Sequence, residues 1–208
     1  MSVWNERYSG EDYHFGIEPN AFLVSQKELL KPGMSCLAVA DGEGRNGVWL
    51  AEQGLDVLWV DNSHVAQAKA EKLAQQRGVK LRFELADLAL WSWPVLSDVE
   101  GGENCFDVVV AIFIQFMPPG AREQMFAHIK RCLKPGGLLL LQGYTPRQHQ
   151  YKTGGPSQVE NLYTESLLRK EFADMDILHL CEHDDVIREG EGHSGMSALI
   201  DLVARKPA

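Results

Sequence analysis

The sequence predicts an α/β fold built on a doubly wound, mostly parallel sheet that closes with an antiparallel pair. Three observations carry that reading. Apolar strand-like runs alternate with helical stretches from Cys36 to Gly143, the pattern of β-α units. Cys105 to Phe113 is almost continuously apolar with β-branched character, as in a strand covered on both faces. The last two strand-like segments, Asp176–Glu182 and Ser197–Arg205, are joined by a charged, glycine-containing connection with no helix, which makes them antiparallel neighbours.

At 208 residues the chain is long enough for one sizeable core and short for two, so a single domain is expected over 1–208, with an N-terminal lid and helix in 1–33 and the core in 34–208. Trp4, Tyr8, Tyr13 and Phe15 are too many large rings for a solvated tail; they pack on the core or cover a ligand as a lid. An amphipathic helix of about three turns is predicted from Asn20 to Leu30, stopped by Lys31-Pro32-Gly33. A first strand, Cys36–Ala40, runs into Asp41-Gly42-Glu43-Gly44, a helix follows from near Arg45 to before Gly54, and Val57–Val60 is the second strand. Next come a helix over Val65–Arg77 ended by Gly78, a strand over Lys80–Leu85, and a surface loop over Trp91–Asn104 containing Pro94 and two glycines. Pro118-Pro119 starts a helix reaching Leu133, Lys134-Pro135-Gly136-Gly137 turns the chain, and Leu138–Gly143 returns to the sheet. A loop from Tyr144 to Asn161 then leads to a helix over Thr164–Phe172.

The net charge of −9 and the scatter of the 20 Lys and Arg argue against nucleic acid as a partner. No apolar run reaches the roughly 18 residues a membrane span needs. The opening residues, MSVWNERYSGEDY, lack the basic and apolar regions of a signal peptide, so the cytoplasm is the expected location. Cys36, Cys105, Cys132 and Cys181 show no C-x-x-C spacing and read as reduced thiols, with Cys105 the most exposed. His179, Cys181, His183, Asp184 and Asp185 do not converge on a tetrahedral site by strand geometry, so no metal is expected.

The stretch VADGEGRNGVWLAEQGLDVLWVD carries the chemistry. Gly42 and Gly44 permit positive φ and close approach of backbone to a ligand at a helix start. Asp61, twenty residues after Asp41, ends the second strand, where a carboxylate can accept both hydroxyls of a ribose. Gly42, Gly44 and Gly47 also spell G-x-G-x-x-G, so a dinucleotide is an alternative at this point.

Together with Asp87-Leu88, the FDVVVAIFIQF strand and the LKPGG turn before LLLLQGY, this loop resembles the class I S-adenosylmethionine (SAM)-dependent methyltransferases. That resemblance implies a Rossmann-like sheet of seven strands, the last antiparallel. GEGRN, F-G-x-E-P, Y-T-P, Gly154-Gly155-Pro156 and E-G-E-G-H are similar to the small-molecule group of tellurite-resistance and thiopurine methyltransferases. Two positions depart from the class: Ala38 replaces its acid in the first strand, with Asp41 a partial substitute, and Ala40 replaces its glycine.

The resemblance implies SAM as cofactor, held by Tyr13, Phe15, Gly16, Asp41, Gly42, Gly44, Arg45, Asn46, Asp61, Asn62, Asp87, Leu88, Ala111 and Ile112. Asp61 would take the ribose, and Asp87 with the Leu88 backbone the adenine. Both aspartates also read as caps of the turns that follow. On the acceptor side stand Tyr8, Tyr13, Phe15, Phe116, Tyr144 and Arg188, with His193, Gln115 and Tyr151 as catalytic candidates. His193 is the candidate proton acceptor, and it reads equally as a surface-turn histidine. The expected function is methyl transfer to a small soluble acceptor by in-line displacement. An NAD-dependent oxidoreductase and a SAM-binding protein without turnover are the alternatives.

Overall fold

The computed structural model describes residues 3–93 and 106–208. Seven strands form one sheet in the order β3-β2-β1-β4-β5-β7-β6. They are β1 (Ser35–Val39), β2 (Asp56–Asp61), β3 (Arg82–Leu85), β4 (Phe106–Ile112), β5 (Leu133–Tyr144), β6 (Asp176–Glu189) and β7 (His193–Arg205). β1 pairs in parallel with both β2 and β4, β2 with β3 and β4 with β5, while β7 runs antiparallel to β5 and β6. The chain winds outward through β1, β2 and β3, then returns to the other side of β1 for β4. That reversal opens a crevice beyond the C-terminal ends of β1 and β4.

Alternate residues of the central strands feed two apolar layers. Leu37, Val109, Leu139 and Leu141 pack on one face with Met125, Phe126 and Ile129 of helix α5 (Pro119–Cys132) and Leu168 of α7 (Glu165–Glu171). Cys36, Ala38, Val108 and Leu140 pack on the other with Leu23 of α2 (Ala21–Ser25) and Leu50 of α3 (Arg45–Glu52). Cys36 and Cys132 are buried thiols, whereas Cys181 is exposed. The helix α4 (His64–Arg77) starts on Ser63, whose Oγ accepts Ala66 N–H, and ends on Gly78 at φ 71. Its terminal signals match the expected span.

Three elements differ from expectation. The helix anticipated over Asn20–Leu30 stops at Ser25 and continues as a 3₁₀ turn over Lys27–Leu29. There Ser25 Oγ donates back to Phe22 O at 2.7 Å, and Gln26 N–H bonds Leu23 O, which tightens the chain out of the α form. Lys134-Pro135-Gly136-Gly137 is not a turn before the strand but a bulge inside β5, because Leu133 already pairs with Phe106 and Leu138 with Val108. Gly136 takes φ 77 there, and Lys134 closes the bulge on Asp107 at 2.9 Å. The β6–β7 hairpin extends well beyond the expected segments, pairing His183 through Glu189 with Leu199 back to His193. Charges at Asp184, Asp185 and Arg188 lie exposed along an edge strand, so they do not interrupt the ladder.

The loop expected over Trp91–Asn104 has its first residues described, but 94–105, with Cys105 and the start of the β4 run, lie outside the described residues. Two further helices are α1 (Val3–Arg7) and the single turn α6 (Gln148–Tyr151). Among the described residues no helix is long and apolar enough to cross a membrane.

Candidate cofactor and acceptor cavity

A cavity of about 760 Å³ occupies the crevice beyond β1 and β4. One wall is the loop between β1 and α3. Ala40 takes φ 49 and Gly42 φ 55, so the chain leaves the strand through two left-handed residues. The loop is pinned from three sides: Asp61 Oδ2 accepts Gly42 N–H at 3.0 Å, Trp59 Nε1 donates to Gly42 O at 2.9 Å, and Asp41 Oδ2 accepts Gly47 N–H at 2.8 Å. Gly44 serves a different purpose from Gly42. A Cβ on Gly44 would lie 2.6 Å from the Ala70 Cβ, so its absence lets the loop pack on α4.

Asp61 lines the cavity and is buried. Its other oxygen accepts Ser63 N–H at 3.0 Å, and the Asn62 N–H also faces the carboxylate, which orients it while leaving acceptor capacity for a further donor. Burial pushes the Asp61 carboxyl above its ordinary range. Enclosure acts more strongly on Asp41, raising it to about 7 against the opposing Gly47 N–H and the Arg45 charge. Asn62, Asp87, Leu88 and Ile112 line the same space. Asp87 also caps the turn after β3, accepting Ala89 N–H at 3.0 Å.

The opposite end is built by the tips of β4, β5 and the β6–β7 hairpin. Phe113 stacks on Tyr144 with ring centres 4.6 Å apart, and its edge meets His193 at 4.5 Å. The hairpin places His193 Nδ1 3.6 Å from Glu189 Oε2, outside hydrogen-bond range but close enough for strong electrostatic coupling. Arg45 Nη2 holds the same carboxylate oxygen at 2.6 Å, and Asn20 Nδ2 donates to its other oxygen at 2.9 Å. Burial opposes ionisation of Glu189, but the facing His193 and Arg45 prevail and hold its carboxyl down at about 2. Burial, aided by the Arg45 charge, pushes His193 below its ordinary 6.5 despite Glu189, so the imidazole is neutral at neutral pH.

The N-terminal segment closes the top. Gly192 N–H donates to His14 O at 3.0 Å, and Phe15 packs 4.4 Å from the His193 ring. A Cβ on Gly190 would meet His14 O at 2.4 Å, and one on Gly192 would meet Phe15 Cε1 at 2.4 Å. The two glycines of E-G-E-G-H therefore permit the strap to dock. Tyr8 packs on Trp59, Ala66 and Ala70 and lines the cavity as well, so the segment is both core and cover.

Residues 36–137 match the family described as a methyltransferase domain. The match runs from β1 to the start of β5. The chain's fold is that of the class I SAM-dependent methyltransferases, with the single antiparallel strand β7 that the resemblance implies. The curated relative phosphoethanolamine N-methyltransferase 2 of Caenorhabditis elegans is 25% identical over 145 residues, 66% of this chain and 31% of that protein. The chain spans less than half the length of the curated relatives it matches. TehB from Haemophilus influenzae superposes with a TM-score of 0.68 at 16% identity, covering 98% of this chain and 65% of that one. The N-methyltransferase NodS from Bradyrhizobium japonicum, crystallised with S-adenosyl-L-homocysteine (SAH), gives 0.69 at 12% identity, covering 99% of this chain and 97% of that one.

Phe15, Asp41, Gly42, Arg45, Asn46, Asp61, Asn62, Asp87, Leu88, Ile112, Gln115 and His193 meet at one cavity. Tyr13, Gly16, Gly44, Ala111 and Tyr151 are outside its lining. Tyr13 donates to Lys69 O at 3.0 Å, Ala111 is buried inside the sheet, and Tyr151 bonds Asp184 at 2.9 Å on the outer side of the hairpin. Gln115 reaches the cavity with both ends of its amide engaged: Nε2 donates to Tyr144 O and Asn161 O, and Oε1 accepts Tyr144 N–H at 2.6 Å. Arg188 is exposed on the hairpin and away from the lining. Glu189, Asn20 and Asn161 were not named as site residues in the sequence: Glu189 entered only as the first residue of E-G-E-G-H, Asn20 as a helix start and Asn161 as a loop end.

Proposed function

We propose that the protein transfers a methyl group from SAM to a small acceptor bound in this cavity. The observation that carries the reading is Asp61, a buried carboxylate locked by Gly42 N–H and Ser63 N–H at the β1/β4 crevice with acceptor capacity left for a ribose. Asp87 and Leu88 would hold the adenine, and Asp41 with the Gly42 backbone the methionyl end. An ammonium beside Asp41 would offset the burial that raises its carboxyl, and the Asp41 carboxylate would then stand in for the acid absent at Ala38. When bound, SAM supplies a methyl already activated on a sulfonium, so the protein's work is alignment and exclusion of water.

His193 accepts the proton released by the acceptor. It is neutral, enclosed by Phe15, Phe113 and Tyr144, and backed by Glu189. Gln115 positions the Tyr144 backbone against the loop at Asn161, and Tyr151 fastens α6 to the hairpin. Both act at one remove from the reacting atoms. The test is release of SAH from SAM over a panel of amines, thiols and metalloid oxyanions. Turnover with at least one supports the proposal, and binding of SAM with none turned over supports a non-catalytic SAM-binding protein instead.

A further inference from the structure

Glu189 stands at one end of a buried hydrogen-bonded chain whose direction is fixed by its amides. Asn20 Oδ1 accepts Leu23 N–H at 3.0 Å as the cap of α2, so its amide nitrogen faces the other way. That nitrogen donates to Gln142 Oε1 at 2.7 Å and to Glu189 Oε1 at 2.9 Å. Gln142, with its oxygen engaged, donates from Nε2 to Asp201 Oδ1 at 2.6 Å, and Asp201 Oδ2 lies 2.9 Å from His183 Nε2. Reversing either amide would set donor against donor or acceptor against acceptor. Arg45 Nη2 holds Glu189 Oε2 at 2.6 Å. Asn20, Gln142, Asp201 and Glu189 are all buried, and a buried polar network of this kind specifies one arrangement when its members are satisfied. Glu189 is therefore an acceptor on both oxygens.

This carboxylate faces His193. Its Oε2 lies 3.6 Å from Nδ1, which is closed off from solvent without a hydrogen-bond partner. A lone pair on Nδ1 would oppose the lone pairs of Glu189, whereas an N–H there turns a positive hydrogen toward them. The other edge of the ring is turned to Gly154: a Cβ on that glycine, which lines the cavity, would sit 3.6 Å from His193 Cδ2, the carbon bonded to Nε2.

We propose that Glu189 is a positioning residue that holds neutral His193 as its Nδ1–H tautomer, so that the lone pair lies on Nε2, at the cavity edge of the ring, and takes the acceptor's proton there. The role in methyl transfer rests on the methyltransferase reading, whereas the tautomer stands on the network alone. A lone pair of the acceptor atom forms the bond to the methyl carbon, and the carbon–sulfur bond breaks with its electron pair left on sulfur. The proton leaves the acceptor atom for Nε2. Of the groups acting on the ring, Arg45 and His14 oppose the resulting positive charge and Glu189 favours it.

The test is a long-range proton–nitrogen NMR correlation spectrum of the full chain, taken at a pH above the His193 titration. His193 is assigned among the seven histidines by its loss in His193→Asn. An unconstrained neutral histidine favours the Nε2–H form, so the expected result, a protonated Nδ1 and an unprotonated Nε2, is the reverse of the default. Glu189→Gln should keep that tautomer, because Arg45 draws the amide oxygen to the place of Oε2. Glu189→Met, similar in length but without an acceptor, should return most of the population to Nε2–H. It should also lower kcat at least about tenfold for any acceptor the parent turns over. Nε2–H as the main form in the parent, an unchanged tautomer in Glu189→Met, or an undiminished kcat in that variant would overturn the proposal. The parent spectrum decides the tautomer even where Glu189→Met fails to fold. A parent that shows the Nδ1–H form but releases no SAH over the acceptor panel would contradict the methyltransferase reading, and with it the role given to Nε2.

Discussion

Asp61 holds the glycine loop and faces the cavity with the same carboxylate, so its removal acts on both. Asp61→Ala should weaken SAH binding by about 10- to 100-fold, the range expected for a charged hydrogen-bonding group, as measured by calorimetry. Asp41 leaves its signature in the pH dependence of stability. Its folded carboxyl stands at about 7, above the ordinary 3.8, so between those values the folded chain binds more protons than the unfolded one. Stability from this group is complete below 3.8 and is lost as the pH rises through about 7. Asp41→Asn should therefore melt higher than the parent on the alkaline side of that window while binding SAH less well. His193 should titrate below 6.5 by NMR, because burial favours its neutral form. Glu189→Gln removes the charge that holds the value up, and should move the titration lower still.

The β6–β7 hairpin and the N-terminal strap depend on each other. Gly190→Ala would drive a Cβ into His14 O and Gly16 N at 2.4 and 2.5 Å, both backbone atoms with little freedom to yield. Such overpacking costs about 1–3 kcal/mol. The variant should expose residues 8–16 to protease while leaving the central sheet intact, which limited proteolysis followed by mass mapping would read. The buried Arg45–Glu189 pair joins the same hairpin to α3. Glu189→Ala leaves the guanidinium unpaired and should lower unfolding stability by roughly 3–5 kcal/mol in a denaturant titration. The hairpin was only half legible in the sequence. The nearly continuous apolar run of Ser197–Arg205 marks β7, but residues 183–189 carry charges that read as a loop, because sequence pattern does not reveal an edge strand's open flank. Similarly, Lys134-Pro135-Gly136-Gly137 has the composition of a turn, and only strand register distinguishes it from a bulge.

At the scale of the whole molecule, winding order explains why the end of the cavity proposed for the cofactor could be located from the sequence and the opposite end could not. Asp41, Gly42, Asp61 and Asp87 sit at strand ends, where a parallel doubly wound sheet must open its crevice, so spacing along the chain locates them in space. Tyr144, Asn161, Glu189 and the strap come together from distant segments. Their convergence is a product of loop packing with no period or spacing of its own. That is also why Gln115, which looks catalytic after the fourth strand, is a clamp on the Tyr144 backbone, and why Tyr151 faces away.

The most direct measurement is calorimetric titration of the full chain with SAH and, separately, with NAD, on the parent and on Asp61→Ala. Saturable SAH binding in the parent, weakened in the variant and without any NAD binding, is the predicted result. NAD binding in place of SAH, or SAH affinity indifferent to Asp61, would contradict the assignment of this crevice to SAM.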